Sequence, residues 1–194
     1  MQTLPKRAQV APDSTWALER IYADDAAWEA DFARLEAMIP ALEAYAGRLG
    51  ESGATLLAGL RQRDDLHMLL DQVLSYARMR RDEDNGNSTY QALTDRGMAL
   101  ATRASAAGAF IEPEVLALSD ETVAAHLADT EGLRLYDHHL EEMRRQRAHV
   151  RSAEVEEVLA QTGEIGRAPG TIFTMLNNAD LTFPTITDEE GRPV

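Results

Sequence analysis

Between Asn87 and Pro113 the chain carries a helical pattern whose side chains are almost all small. Tyr90, Leu93, Gly97, Leu100, Ala101, Ala104, Gly108 and Ile111 recur at intervals of three and four, the spacing of a buried helical face. A helix with so little side chain can be approached closely by several neighbours. The same residues would also suit a solvent-facing helix of high propensity. On an exposed face, however, Gly97 and Gly108 would each cost about 1 kcal/mol with nothing gained. The pattern therefore predicts the central helix of a bundle, from about Asn87 to Glu112, with Pro113 marking its end because the residue before proline is pushed out of the α region.

The approach to this helix is equally constrained. Arg78, Arg80 and Arg81 precede Asp82, Glu83 and Asp84, which predicts a salt-bridged turn. Asn85-Gly86-Asn87 then supplies a turn that tolerates positive φ, and Asn87 or Ser88 is the natural N-cap.

The rest of the chain reads as further helices. Residues 1–13, with Pro5 and Pro12 around a basic patch, form an extended arm, and Trp16, Leu18, Ile21 and Tyr22 make a short amphipathic piece. Asp24 and Asp25 cap a helix whose stripe is Trp28, Phe32, Leu35, Met38, Ile39, Leu42, Tyr45 and Leu49, with a kink expected before Pro40. Ser52 restarts the chain into a short helix with Leu56, Leu57 and Leu60. A second helix follows from about Asp64, with Leu66, Leu69, Leu70, Val73, Leu74 and Ala77. A short turn is expected after Pro113, and Ser119 caps a small helix around Val123 and Leu127. Leu133 to Val150 reads as one charged amphipathic helix with a Glu141–Arg145 pair, and another helix opens at Ser152. Gly163, Gly166, Pro169 and Gly170 form the loosest stretch, before a short apolar helix that ends at Asn177-Asn178.

After Asp180 the period changes to two. Leu181 to Thr187 is rich in β-formers, and Asp188-Glu189-Glu190-Gly191 reads as a hairpin turn with only Arg192, Pro193 and Val194 to return. A hairpin lacking its second strand leaves unpaired backbone groups, so the sequence reads as a fragment of something longer. The expected fold is all-α, a multi-helix bundle with the start of a short β-hairpin at the C-terminus. Its parts are an arm at 1–23, a helical domain at 24–180 and the hairpin start at 181–194.

Charge and composition then exclude whole classes of function. A net charge of -14 argues against nucleic acid and against an anionic membrane surface as partners. With no cysteine, disulfides, zinc fingers and thiol nucleophiles drop out. No secretory h-region and no transmembrane run are present, so a soluble, cytoplasmic protein is expected.

Catalytic motifs are lacking too. None of the five histidines, His67, His126, His138, His139 and His149, sits in a His-Glu-x-x-His motif. Asp64-x-x-His67 is the nearest approach to a metal pair, well short of the paired Glu-x-x-His motifs a di-iron bundle needs. His138 and His139 point about 100° apart on a helix, so one is expected at the surface and the other partly packed. The glycines at 163, 166 and 170 lack the order and the lysine of a phosphate loop. The residues alone support no catalytic and no metal site.

Several segments together resemble oligoendopeptidase F, a family of zinc metallopeptidases related to thimet oligopeptidase. They are Leu4-Pro5-Lys6-Arg7; Thr15-Trp16-Ala17-Leu18-Glu19-Arg20-Ile21-Tyr22; Tyr76-Ala77-Arg78-Met79-Arg80-Arg81-Asp82-Glu83-Asp84; and Asn87-Ser88-Thr89-Tyr90-Gln91-Ala92-Leu93. Phe110 to Glu114, Gln146 to Val150, Met175 to Asp180 and Phe183 to Ile186 follow in matching order. The resemblance spans nearly the whole chain. It implies the N-terminal helical domain of such an enzyme, one wall of the channel through which short unstructured peptides reach the zinc. The family's His-Glu-x-x-His motif lies far toward the C-terminus, so no catalytic or zinc-binding residue carries over, and this piece alone should be inactive.

That reading makes Asn85, Asn87, Tyr90, Asn177, Asn178 and Asp180 candidates for the surface that meets the peptide or the catalytic domain. Short amide side chains can bond a peptide backbone whatever its sequence. The same asparagines also suit caps and turns. Expected partners are short peptides, the catalytic domain and a second copy paired through the final strand. The alternative is a free-standing acidic helical bundle that serves as an interaction module.

Overall fold

The computed structural model describes residues 9–84, 86–147, 162, 166, 168–170, 172–173, 176, 181 and 187–192. The chain divides into two compact units, Met1–Arg145 and Gln146–Val194.

In the first unit a 3-10 turn, Pro12–Ser14, and another, Leu18–Arg20, lead into α1 (Asp25–Glu43). Then come α2 (Gly53–Glu83), α3 (Ser88–Gly108), α4 (Ile111–Ala117), α5 (Asp120–Asp129), a 3-10 segment Glu131–Tyr136, and α6 (Asp137–Gln146). The expected caps form. Asp24, Ser52 and Ser119 each accept from the backbone N–H three residues on, and Asn87 accepts from Thr89 and Tyr90.

Pairings between the long helices set their directions. Trp28 bonds Val73 while Asp25 meets Tyr76 and Arg80, so α1 and α2 are antiparallel. Thr94 donates to the Ala77 carbonyl, and a methyl group at Gly97 would stand 3.1 Å from Leu74, so α2 and α3 are antiparallel as well. Arg96 pairs with Glu29 and Arg103 with Glu36, each seven residues on, which makes α1 and α3 parallel. The buried core runs through Trp28, Leu35, Leu42, Leu56, Leu60, Leu66, Val73 and Leu100, and continues to Leu133 and Leu140. The first unit is an all-α bundle, as the periodicity predicts.

Several expectations need correction. The two helices read around Leu60 and Asp64 are one, α2, 31 residues long and about 46 Å at roughly 1.5 Å per residue. Nothing between Leu60 and Leu66 breaks a helix, and both leucines are buried in the core. The central helix is α2 rather than α3. It packs on α1, α3, α5 and the 3-10 segments Leu18–Arg20 and Glu131–Tyr136, whereas α3 has α1 and α2 as its main neighbours. Only one face of α3 is buried (Leu93, Thr94, Gly97, Leu100, Ala104, Ala107), and much of its alanine-rich remainder faces solvent.

Helix α3 also ends earlier than expected, at Gly108, and Pro113 lies inside the first turn of α4. The first N–H groups of a helix have no internal partner, so proline costs little there. Among the described residues the glycines with positive φ are Gly47 and Gly191, and Gly86 is not one of them. The segment from Leu133 starts as a 3-10 helix and becomes α-helical only at Asp137. On α6, Arg145 pairs with Glu142 rather than with Glu141, and Arg144 reaches Asp120.

In the second unit, Gly166, Ala168, Pro169 and Gly170 are helical where a loose stretch was expected, so context overrides propensity at these positions. The Leu181 N–H donates to the Leu176 carbonyl at 2.8 Å. The predicted β-hairpin is not found. Among the described residues there is no strand, only a single bridge at Thr187 and a closed turn from Asp188 to Arg192. The Asp188 carboxylate accepts from the N–H groups of Glu190 and Arg192 and from the Arg192 guanidinium. These donors are satisfied within the turn rather than by a ladder. The remaining hairpin residues, 182–186 and 193–194, lie outside the described residues.

Candidate functional site

Of the six candidate residues, Asn87 and Tyr90 are described. Asn85, Asn177, Asn178 and Asp180 lie outside the described residues. Asn87 Oδ1 accepts from the N–H groups of Thr89 (3.0 Å) and Tyr90 (3.4 Å), so that oxygen serves as the cap of α3. Tyr90, one turn on, lies under the Arg80 guanidinium at 4.2 Å from its ring centre.

Arg80 ties this turn to a polar cleft of about 340 Å³ that no local sequence pattern locates. Trp16, Tyr22, Asp25, Tyr76, Arg80 and Glu83 line it, drawn from the N-terminal segment, the start of α1 and the last turns of α2. The Tyr76 hydroxyl donates to Asp25 Oδ1 at 2.7 Å, and Arg80 Nη2 donates to Oδ2 at 3.4 Å. The Tyr22 ring meets Tyr76 edge-on at 5.4 Å, and its hydroxyl donates to Asp31. Burial, and then the Asp25 carboxylate, push the Tyr76 phenol up to about 12. Burial also pushes up Tyr22, with the Asp31 hydrogen bond adding to it. Both phenols are therefore protonated donors at neutral pH. Among the described residues Arg80 Nε is buried with no hydrogen-bond partner, while Trp16 is 52% exposed at the rim.

Chemically this arrangement can bind a polar group. Of its carboxylates, Asp25 is held by Tyr76 and Arg80, Glu83 approaches Arg80, and Asp24 caps α1. The signals in the sequence were the aromatics Trp16, Tyr22 and Tyr76, but periodicity cannot join residues more than fifty positions apart.

The acidic run beside the cleft is salt-bridged as expected, but Asp82 and Glu83 lie in the last turn of α2 rather than in a turn after it. Arg81 pairs with Asp82 at 3.0 Å, Arg80 approaches Glu83 at 3.7 Å, and Asp84 accepts from the Gly86 N–H. Arg78 instead donates to Met98 Sδ.

The Asp64-x-x-His67 pair does not assemble. His67 is exposed, and Asp64 is taken by Tyr136 (2.6 Å) and Arg63 (2.7 Å). Burial would raise Asp64, but hydrogen bonds from Tyr136 and Arg63 outweigh it and hold the carboxyl below its usual range. Of the neighbouring histidines both His138 and His139 are exposed, and His139 contacts Arg63. Among the described residues no group of three or more His, Cys, Asp or Glu side chains could hold a metal ion. Among them, too, no helix is long and apolar enough to cross a membrane.

A family model described as Oligopeptidase F matches residues 114–183. The chain is 39% identical over 189 residues to oligopeptidase PepF of Bacillus subtilis, covering 97% of this chain and 28% of that protein. It is 32% identical to the group B oligopeptidase PepB of Streptococcus agalactiae, covering 97% of this chain and 31% of that protein. Its fold matches the crystal structure of oligoendopeptidase-F from Enterococcus faecium with a TM-score of 0.67 at 34% identity, covering 88% of this chain and 33% of that one. A putative peptidase from Chlamydophila abortus shares the fold with a TM-score of 0.72 over 99% of this chain. The resemblance read from the residues therefore holds along nearly the whole chain, and it is to the N-terminal part of these oligopeptidases. The chain spans about three-tenths of the length of the curated relatives it matches.

Proposed function

We propose that this chain is the N-terminal, non-catalytic helical domain of a longer oligoendopeptidase F-like zinc metallopeptidase that hydrolyses short peptides. In this reading it forms one wall of the channel that leads to the zinc. The observation that carries the proposal is the pairing of near-complete coverage here with 28% coverage of the Bacillus subtilis relative. The described residues do not fit zinc, because Asp64 is committed elsewhere and His67 stands alone. Zinc and the catalytic groups are assigned to the remainder of the longer protein. The division into an arm at 1–23, a helical domain at 24–180 and a closing segment at 181–194 is part of the proposal, as is a cytoplasmic location.

Within this reading, the turn Asp82–Tyr90 and the segment 177–180 belong to the surface that meets the peptide or the catalytic domain. Ile172, Phe173, Leu176 and Leu181 are exposed in the second unit. They support contact with that domain and, in its absence, with a second copy. A free-standing interaction module is not favoured, since the proteins matched here carry peptidase names and are about three times as long.

The test is to fuse this chain to the part of the Bacillus subtilis relative that it does not match. The fusion should cleave a quenched fluorescent peptide in a chelator-sensitive way, and this chain alone should not. Cleavage by the rigorously purified chain, or a folded but inactive fusion, would overturn the proposal.

A further inference from the structure

Arg63 of α2 places its Nη1 2.9 Å from Nε2 of His139 on α6. A guanidinium has only hydrogens to give, so Nε2 must be the acceptor. The imidazole is then neutral, with its proton on Nδ1. Arg63 cannot simply swing away, because its Nε and Nη2 donate to Asp64 at 3.0 and 2.7 Å and its side chain is only 18% exposed. Tyr136 in turn holds the other oxygen of Asp64 at 2.6 Å.

The charged groups acting on His139 are Arg63 and Asp64 from α2 and Glu112 from α4, and Glu142 lies one turn along α6 itself. Burial and then Arg63 press the imidazole toward the neutral form. Asp64 and Glu112 oppose them and are outweighed. Among the described residues, three further contacts secure α6. Leu140 is buried in the core, Met143 packs against it, and Arg144 bonds Asp120.

We infer that the Arg63–His139 contact is a proton-operated latch, which fastens α6 to α2 while the imidazole is neutral and opens when His139 takes up a proton. Protonation turns the acceptor into a second donor beside a fixed guanidinium. Tyr136, still bonded to Asp64, keeps the preceding 3-10 segment in place, so the loosening is confined to α6. This helix is the last of the first compact unit, and the backbone passes from it into the second.

The experiment is amide hydrogen exchange on the full chain, corrected for intrinsic rates, at about pH 7.5 and about pH 5.5, on either side of the histidine titration. Protection over residues 137–146 should fall about fivefold relative to 53–83, the equilibrium equivalent of one hydrogen bond. His139→Gln, whose side-chain oxygen can accept the same bond without titrating, should show no such fall. Unchanged protection in the wild type, or an equal fall in the variant, overturns the latch. Ring nitrogen shifts of wild-type His139 give a reading that needs no variant. An Nδ1–H tautomer with a midpoint below 6.5 is expected, and an Nε2–H tautomer or a midpoint at or above 6.5 also overturns the latch.

Discussion

The indole N–H of Trp28 donates to the Val73 carbonyl at 2.9 Å, across the buried interface of α1 and α2. One helical turn along α2, the Ala77 carbonyl receives the Thr94 hydroxyl of α3 at 3.0 Å. Successive turns of α2 thus take a side-chain hydrogen bond from each neighbouring long helix. Hydrophobic burial alone lets packed helices slide, whereas a directional bond to one carbonyl fixes their register.

Trp28→Phe should therefore cost more than the lost ring volume alone. The Val73 carbonyl keeps its helical partner, so no buried acceptor is orphaned, and the loss is a cavity plus one net hydrogen bond. That amounts to about 1–3 kcal/mol. Urea unfolding followed by far-ultraviolet circular dichroism measures it, and a change under about 0.5 kcal/mol would deny the bond its place in the core.

Two glycines should respond in opposite senses to alanine. A methyl group at Gly53 would clash with Thr130 Oγ1 and stand 2.9 Å from the backbone oxygen of His126. Backbone cannot rotate away, so Gly53→Ala should push α5 from the start of α2 and cost about 1–3 kcal/mol. At Gly108 the nearest atom outside the local helix is Leu42 Cδ2 at 3.6 Å, an ordinary contact. Gly108→Ala should be neutral or stabilising by up to about 1 kcal/mol, through helix propensity. Melting temperatures of the two variants check both signs.

What the sequence could reveal was local. Asp24, Ser52, Asn87 and Ser119 are read as caps because a cap needs only a short polar side chain ahead of an apolar pattern, and all four form. The position of Pro113 went wrong because a proline that ends one helix and a proline in the first turn of the next leave the same local trace. The long helix around Leu60 and Asp64 was split because charged residues on its outer face dilute the apolar stripe. The cleft at Arg80 was illegible for another reason. Its bond to Asp25 spans 55 positions, and no local pattern encodes which of many acidic residues will meet which arginine. The candidate asparagines illustrate the same limit, since cap and contact use the same side chain.

Alkaline pH should unfold the first unit through its phenols. Tyr76 and Tyr136 are both pushed up to about 12 from 10.0, each by burial first and then by the carboxylate it donates to. A raised folded value means that the protonated phenol is favoured by the fold. The contribution is complete below pH 10 and is lost as pH rises through about 12. Tyrosinate absorbance should show a late phase that Tyr76→Phe and Tyr136→Phe each reduce. Full titration of every tyrosine near 10 in the folded protein would contradict the bonds to Asp25 and Asp64.

Asn87 can be divided into its two roles with two substitutions. Its Oδ1 caps α3, so Asn87→Ala should cost about 1 kcal/mol. Asn87→Asp keeps an acceptor at the same place and adds a negative charge at a helix N-terminus, where the dipole favours it, so stability should be unchanged or slightly higher. What aspartate removes is the amide NH₂, the group that could donate to a peptide carbonyl. In the fusion enzyme, a surface that meets the peptide predicts a raised KM for Asn87→Asp at wild-type stability. Asn87→Ala should show that same rise together with the loss of stability. An unchanged KM in the aspartate variant would confine Asn87 to the cap and leave Tyr90, under the Arg80 guanidinium, as the described residue of the turn still to be tested against the peptide.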